Sequence, residues 1–271
     1  MIVTADDFGR STAVNAAVIK AHQQGILTCA SLMVSGEAAD EAVALARENP
    51  GLNVGLHLVL IDGFSVLPKK DIPDIVDDQR HFSSDPAAGG ARYFFSARAR
   101  QQLRKESRAQ VGKFLAFGLE MDHLNSHHHL HIHPTIASIV VDLAREYRIP
   151  AIRLPLQGLR MVTRPTAPMA AVMLPWVMNL KFKLDMAGIA HNREVMGLFE
   201  NAAMNVENWL RLTPKLKPGV TEIFSHPASP DRSDQGGTSP AFDEYKALID
   251  PEVKEALAQA NVVLGSFRDF V

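Results

Sequence analysis

Residues 1–34 read MIVTADDFGRSTAVNAAVIKAHQQGILTCASLMV and predict a strand, a helix and a second strand in that order. Residues 1–4 form a short apolar run, and the pair Ser11-Thr12 can cap a helix that ends at Gly25. Residues 26–34 form the next apolar run. Parallel strands require a crossover connection of this length, so the stretch predicts a βαβ unit on a parallel sheet.

The same alternation continues along the rest of the chain, where helical patterns separate short apolar runs. Further strands are predicted at residues 54–60, within the histidine-rich segment 123–133, and at 149–154, 221–225 and 262–264. Helices are predicted at residues 37–48, 97–118 and 135–147, throughout 167–212, and as two short segments after residue 225. The pattern favours an α/β fold of the (β/α)-barrel type with six or seven parallel strands.

The composition limits the classes of protein to consider. The 271 residues are 46% hydrophobic and 21% charged, and (β/α) barrels reach this length as one domain, here 1–271. A formal net charge of −2 and the lack of a nucleic-acid-binding motif argue against nucleic acid as a partner. Cys29 is the single cysteine, which agrees with a reducing compartment. The N-terminus has no signal-peptide pattern, so we expect a cytoplasmic location.

Six of the eleven histidines lie in the segment HLNSHHHLHIHP, residues 123–134. In an extended strand, the side chains of residues 127, 129, 131 and 133 would share one face, where two imidazoles can hold one cation. The alternative is a polar strand whose histidines face solvent or bond one another, although buried imidazoles without partners are costly. Two ring nitrogens seldom complete a metal site, so further ligands are expected from other strands.

Six polar residues lie on the predicted strands or at their carboxyl ends. In a (β/α) barrel these ends converge on one mouth, where such enzymes keep their catalytic groups. Packing alone does not explain six reactive side chains arriving there, so the pattern favours an enzyme over a binding module. The six residues are Asp6, Asp7, His57, His127, Arg153 and His226.

Each of these residues also has a simpler explanation. Asp6 and Asp7 can cap the following helix, and His57 can be a hydrogen-bonded histidine of the core. His226 can belong to a turn, and Arg153 to a surface ion pair. Taken together, however, a carboxylate and two imidazoles provide a metal site with open positions for water and substrate.

Two segments interrupt the regular alternation. Residues 62–96 contain three prolines and a glycine pair, and predict a long inserted loop. An apolar helical insertion is predicted around 165–190, with its densest run at Met169–Leu180. This run is too short to span a bilayer and fits a core helix, a flap over the substrate or a membrane contact. Basic residues of the helix at 97–118 can meet anionic lipid or simply coat a solvated face.

Four short blocks follow one another across nearly the whole chain: Ala5-Asp6-Asp7-Phe8-Gly9, Gly55-Leu56-His57, Ser126-His127-His128-His129-Leu130-His131 and Ser225-His226-Pro227. Together and in this order they resemble the YdjC-like carbohydrate deacetylases. The first three blocks are specific, whereas the last is weak alone. The chain looks most similar to the hopanoid-biosynthesis-associated branch. Many relatives carry Asp where this chain has Asn125 and Gly where it has Ala228, which are two departures from the family pattern.

The resemblance implies a distorted TIM-like (β/α) barrel that holds one divalent metal ion, magnesium or zinc. It implies Asp7, His57 and His127 as the metal ligands. It also implies Asp6 as the base that takes a proton from the attacking water, and His226 as the acid that protonates the departing amine. Three more residues become candidates for supporting the ligands or contacting the substrate: His129, His131 and Arg153.

We therefore expect metal-dependent hydrolysis of the N-acetyl group of an N-acetylglucosamine-type sugar, with release of acetate and a free amine. The resemblance favours a lipid-linked sugar, a hopanoid glycolipid, and with it a peripheral contact at the inner membrane face. The alternatives are a deacetylase of soluble chitooligosaccharides, a metal-dependent phosphoesterase, and a non-catalytic sugar- or lipid-binding protein. The sequence leaves the oligomeric state open, and a homodimer is one option.

Overall fold

A six-stranded parallel sheet forms the centre of the described part of the chain. The computed structural model describes residues 1–157, 167–198, 204–229 and 239–270. The strands are β1 Ile2–Phe8, β2 Cys29–Leu32, β3 Asn53–Leu58, β4 Met121–Ser126, β5 Glu194–Met196 and β6 Thr221–Ser225. Their order across the sheet is β4-β3-β2-β1-β6-β5.

Helices connect the strands and cover the sheet. They are α1 Thr12–Gln24, α2 Ala39–Glu48, α3 Pro86–Phe95, α4 Ala97–Ala116, α5 Pro134–Tyr147, α6 Ala167–Ala187, α7 Val206–Leu212, α8 Pro240–Ile249 and α9 Pro251–Gln259. As predicted, Ser11 caps α1, because its Oγ accepts a hydrogen bond from the N–H of Val14, and Gly25 follows the last turn. Within the described ranges no helix combines the length and the apolarity needed to cross a membrane.

The sheet forms a half-barrel whose two edge strands, β4 and β5, do not pair with each other. Residues 151–152 lie between these edges and make single parallel bridges to Leu124 of β4 and to Ala190. The predicted strand at 149–154 is therefore reduced to isolated bridges. A proline lies near each end of this segment, and proline lacks the N–H group that a longer ladder requires. The α/β fold with a parallel sheet is confirmed, and the barrel is not closed.

Three further predictions were wrong in extent or existence. β1 continues to Phe8, so that Asp6 and Asp7 lie inside the strand rather than after it. The predicted helical region 167–212 contains β5, whose three residues are too few to show a period of two in the sequence. Residues 262–264 form no strand, and the Val263 side chain is 70% exposed.

The histidine-rich segment does not continue as a strand. β4 ends at Ser126, and His127–Ile132 forms a 3-10 turn with φ of +53° at His128 and +52° at His129. Ser126 Oγ closes the turn, because it accepts a hydrogen bond from the backbone N–H of His131 and lies 2.7 Å from Nδ1 of the same residue. The expectation that alternate histidines share one strand face is therefore wrong.

The two predicted insertions have regular structure. Residues 62–96 contain two antiparallel bridges, Phe64 to His81 and Val76 to Phe82, and their second half forms α3. Ile72, Ile75 and Phe82 bury this segment against the core. α6 accounts for the predicted helix around 165–190, of which residues 165 and 166 lie outside the described ranges.

We predict that Gly55→Ala destabilises the fold. A Cβ at Gly55 in β3 would lie 2.5 Å from ring atoms of His123, and this ring is itself fully buried. Such overpacking costs about 1–3 kcal/mol. The matched control is Gly112→Ala in α4, where a Cβ meets nothing within 4 Å and removal of a helical glycine favours folding. The midpoint of urea denaturation should therefore fall in Gly55→Ala and rise in Gly112→Ala. Equal midpoints in the two variants would contradict the close packing at Gly55.

Candidate metal centre

Three side chains from neighbouring strands meet at the carboxyl end of the sheet. Asp7 lies at the end of β1, His57 on β3 and His127 directly after β4. Asp7 Oδ1 lies 3.3 Å from His57 Nε2 and 3.0 Å from His127 Nδ1, and the two nitrogens are 3.4 Å apart. All three side chains are buried.

The spacing of these atoms fits a shared cation. Asp7 Oδ1 is buried and accepts no hydrogen bond, although two ring nitrogens lie nearby. Ligands about 2.0–2.1 Å from a tetrahedral zinc ion are about 3.3–3.4 Å from one another. One carboxylate and two imidazoles also leave open positions for water and substrate. The donor set therefore suits a divalent metal ion.

A local break in β1 allows two consecutive carboxylates to face the same cavity. The register between β1 and β2 shifts between Ala5 and Phe8, and Asp7 has a φ of +64°. Irregularities of this kind redirect side chains at strand ends. Asp6 and Asp7 consequently both line the cavity above the sheet, which adjacent residues of a regular strand would not do.

Charge at the site favours a cation. Burial alone would raise the pKa of Asp7, but the imidazoles of His127 and His57 bring that pKa well below its ordinary value. Burial lowers the pKa of His127, which favours the neutral ring that binds metals. Burial also disfavours a charged His57, yet the carboxylates of Asp6 and Asp7 outweigh it and raise the pKa of His57.

Asn125 orients the ring of His57 through a hydrogen bond to the ring nitrogen that faces away from Asp7. Its Oδ1 lies 2.6 Å from His57 Nδ1, so it accepts a hydrogen bond from this nitrogen and leaves the lone pair of Nε2 free to bind metal. The amide of Asn125 also donates a hydrogen bond of 3.0 Å to Asp6 Oδ1. One side chain of β4 thus contacts both a predicted ligand and the predicted base.

Asp6 forms a buried ion pair with Arg153. The guanidinium donates hydrogen bonds of 2.5 and 3.0 Å to the two oxygens of Asp6, and its other edge bonds Glu222 at 2.7 to 3.0 Å. Burial raises the pKa of Asp6, but the charges of Arg153 and His57 lower it far more, and Asp6 is ionised. Arg153 has no exposed surface, so the surface-pair alternative is wrong for this residue.

His226 lines the same cavity as His127. It follows β6, is half-buried and lines the cavity together with Asp6 and His129. Its backbone N–H donates a hydrogen bond of 2.6 Å to the carboxylate of Glu244, which is itself buried. Glu244 lies in α8, so this helix holds the backbone of His226 in place.

The other two histidines named as candidates have different surroundings. His129 lines the cavity, and its ring meets Phe224 edge-on with centroids 4.9 Å apart. His131 has no exposed surface, and its ring nitrogens lie 2.7 Å from Ser126 Oγ and 3.1 Å from the backbone oxygen of Arg153. Burial lowers the pKa of His131 to about 3, so this ring is neutral and supports Arg153 rather than facing the substrate.

The cavity over the three ligands has a volume of about 520 Å³. A neighbouring cavity of about 540 Å³ shares four lining residues with it: Asp7, Arg10, Asp62 and His226. Arg10 donates a hydrogen bond of 2.9 Å to Asp7 Oδ2, and Asp62 lies 3.5 Å from His128 at the rim. The two cavities form one cleft across the carboxyl end of the sheet.

The structure brings most of the predicted residues into this cleft, and two support it from inside the sheet. The predicted residues that line the cavity are Asp6, Asp7, His57, His127, His129 and His226, whereas His131 and Arg153 lie behind them. Sequence reasoning gave no role to Asn125, Glu222, Glu244, Arg10 or Asp62. One signal was available for Glu222, since a glutamate in the apolar run of β6 needs a buried cation such as Arg153.

Comparison with known proteins places this chain in a family. The family model described as YdjC-like protein matches residues 1–259. The chain belongs to the YdjC-like family. Two relatives in this family are each described as a carbohydrate deacetylase. The protein of Brevibacillus brevis is 34% identical, with 99% of this chain and 98% of the relative covered, and that of Geobacillus stearothermophilus is 32% identical, with 99% and 97% covered.

Solved structures support the YdjC-like fold. A crystal structure from Enterococcus faecalis, described as a candidate cellobiose-phosphate cleavage protein, matches with a TM-score of 0.79 and 26% identity, and covers 99% of this chain and 97% of its own. A lactam utilization protein from Thermus thermophilus matches with a TM-score of 0.50 and 15% identity over 98% of this chain and 100% of its own. The second match concerns the fold alone.

We predict that His127→Ala prevents zinc from binding at this site. This substitution deletes one of three protein ligands, and a remaining pair holds zinc weakly. Elemental analysis after zinc loading and gel filtration should give about one ion per chain for the wild type and far less for the variant. His191→Ala is the control, because this half-buried ring bonds Asp185 and the backbone of Asn192 away from the site. Unchanged zinc in His127→Ala would refute its role as a ligand.

Proposed function

We propose that this protein is a metal-dependent deacetylase that hydrolyses the N-acetyl group of an N-acetylglucosamine-type sugar. The observation that carries the proposal is the group Asp7, His57 and His127 beside an ionised carboxylate, Asp6, at the floor of an open cleft. The relatives described as carbohydrate deacetylases support the substrate class. A cavity of about 520 Å³ lies in the size range of small-molecule sites.

Asp7, His57 and His127 would hold one divalent ion, zinc or magnesium. When bound there, such an ion supplies Lewis acidity, which polarises the acetyl carbonyl and acidifies water. Two imidazole ligands suit zinc better than magnesium, which prefers oxygen. Asp6 contributes a carboxylate that Arg153 keeps ionised and fixed in direction, so it is ready to accept a proton from the attacking water.

His226 is the proposed proton donor. In the reaction the water oxygen bonds to the acetyl carbon and the carbon–nitrogen bond breaks, with one water proton passing to Asp6. An amide nitrogen leaves poorly as an anion, so it must receive a proton, and imidazole suits this task near neutral pH. Glu244 holds the backbone of His226 in place at the cavity wall. The products are acetate and a free amine.

We predict that Asp6→Asn retains zinc but loses at least about a hundredfold in kcat, because an amide cannot act as the base. The assay measures acetate released from N-acetylglucosamine oligosaccharides by the zinc-loaded protein. Glu222→Gln is the matched control, since it removes the other carboxylate of Arg153 outside the cavity and disturbs the same buried charge. Full activity in Asp6→Asn would exclude Asp6 as the base. Phosphate release from a phosphorylated sugar without acetate release would favour the phosphoesterase alternative.

We further propose that the substrate is lipid-linked, such as a hopanoid glycolipid, and that α6 meets the lipid surface. One ridge of α6 exposes apolar side chains at every fourth position: Leu174, Met178, Phe182 and Met186, which are 42%, 46%, 65% and 70% exposed. Trp176 of the same helix packs against His133, with ring centroids 5.5 Å apart, and this histidine directly follows the turn that carries His127. Lys183 follows Phe182 and would favour anionic lipid, whereas Lys181 forms an ion pair with Asp185 of the same helix.

We predict that Phe182→Asp abolishes co-sedimentation with phosphatidylglycerol-containing vesicles and lowers turnover of a glycolipid without changing turnover of a soluble oligosaccharide. Val263→Asp is the matched control, because Val263 is an apolar residue of similar exposure that lies outside α6. Equal turnover of both substrates by the wild type, without vesicle binding, would exclude the lipid proposal. A dimer that dissociates in Phe182→Asp would instead assign the ridge to a second copy of the chain.

A further inference from the structure

We propose that four buried polar residues, named here the inner polar chain, fix the proton position of His57 and the direction of Asp6. Its members are Asp122, His123, Ser31 and Asn125. The proposal rests on the proposed function, because it explains how this chain presents a metal ligand and a base. Of the four, only Asn125 contacts either residue directly, and the other three are positioning residues that act through it.

Hydrogen bonds join the four residues in sequence. Asp122 Oδ2 lies 2.9 Å from His123 Nδ1, and His123 Nε2 lies 3.0 Å from Ser31 Oγ. Asn125 Nδ2 donates a bond of 2.8 Å to the same hydroxyl and another of 3.0 Å to Asp6 Oδ1. Each of the four side chains is at most 1% exposed, so water is not an alternative partner at these atoms.

The two ends of this arrangement determine the direction of every bond. Burial raises the pKa of Asp122, but His123 and the other donors around it lower that pKa below its ordinary value, so Asp122 only accepts. A neutral His123 then carries its proton on Nδ1 and accepts at Nε2 from the hydroxyl of Ser31. That hydroxyl in turn accepts from the amide of Asn125.

Asp6 fixes the other end. Arg153 donates hydrogen bonds to both oxygens of Asp6, so this carboxylate acts as an acceptor. Asn125 therefore directs Nδ2 towards Asp6 and Oδ1 towards His57. His57 then has to donate from Nδ1, which places its lone pair on Nε2, beside Asp7 and His127. The hydrogen-bond directions inside the sheet therefore select the tautomer that can bind a metal ion.

Packing at the opposite end of the sheet holds the inner polar chain in place. The ring of Phe267 lies against His123 with centroids 4.6 Å apart, and Gly55 leaves room for the same imidazole. The backbone N–H of Arg268 donates a bond of 3.1 Å to Asp122 Oδ1. Residues near the carboxyl terminus thereby support a site at the opposite ends of the strands.

The test compares Ser31→Ala with Ser107→Ala. Both serines have no exposed surface, but Ser107 lies in α4 and its hydroxyl has no hydrogen-bond partner among the described residues. Zinc affinity is measured by competition with a chelator, and the long-range ¹H–¹⁵N spectrum of the imidazoles reports their tautomers. We expect Ser31→Ala to bind zinc about tenfold more weakly and to show His57 protonated partly on Nε2, because loss of a supporting partner typically weakens metal binding by about 10–100-fold.

Equal zinc affinity and equal imidazole spectra in the two variants would overturn the inner polar chain while leaving the metal site intact. If Ser31→Ala does not fold, the wild-type spectrum still tests the proposal, since the zinc-free protein must carry the His57 proton on Nδ1 at a pH where this ring is neutral. A proton on Nε2 of the neutral ring would overturn it. A wild type that binds no zinc would overturn the proposed function and this proposal with it. The two failures are distinguishable, because equal zinc affinity in the two variants overturns the inner polar chain alone.

Discussion

The side chain of Arg153 has no exposed surface and places a positive charge inside the half-barrel. The arrangement of the site depends on how this charge is paired. Asp6 takes one edge of the guanidinium and Glu222 takes the other, with Thr4 donating a further bond to Glu222. Removing one partner of such a buried group leaves an uncompensated charge, which costs about 3–5 kcal/mol. The same pair keeps Asp6 ionised beside the cavity, so a requirement of folding also prepares the carboxylate that we propose as the base.

The three proposed metal ligands depend on a second constraint, because the atoms that face away from the shared cation position also need hydrogen-bond partners. His57 is held by Asn125, and Asp7 by Arg10, whose guanidinium bonds the oxygen that faces away from the imidazoles. His127 follows a strand end at which the chain turns through two left-handed residues. These contacts come from β4, from the bend between β1 and α1 and from the turn after β4, so the site is assembled from several elements that the sheet brings together.

The sequence predicts the parallel sheet well because each βα unit carries its own periodicity and caps, as α1 does with Ser11 and Gly25. It also predicts that carboxylates and histidines at strand ends converge, whereas the choice of Asp7, His57 and His127 among them came from the family resemblance. It does not predict the turn at His127–Ile132, because alternation in sequence resembles a strand, and the bond from Ser126 that closes the turn is set by tertiary structure. The predictions for β5 and for residues 262–264 were wrong for a related reason. A segment of three residues is too short to show a periodic pattern.

The most direct test of the metal centre is anomalous diffraction from a crystal of the zinc-loaded protein, recorded on both sides of the zinc absorption edge. We predict one strong peak within about 2.3 Å of Asp7 Oδ1, His57 Nε2 and His127 Nδ1. The described residues offer two other groups of potential ligands, Asp62 with His127 and His128, and Cys29 with Asp122 and His123. A peak at either of these groups, with none at the first, would contradict the account.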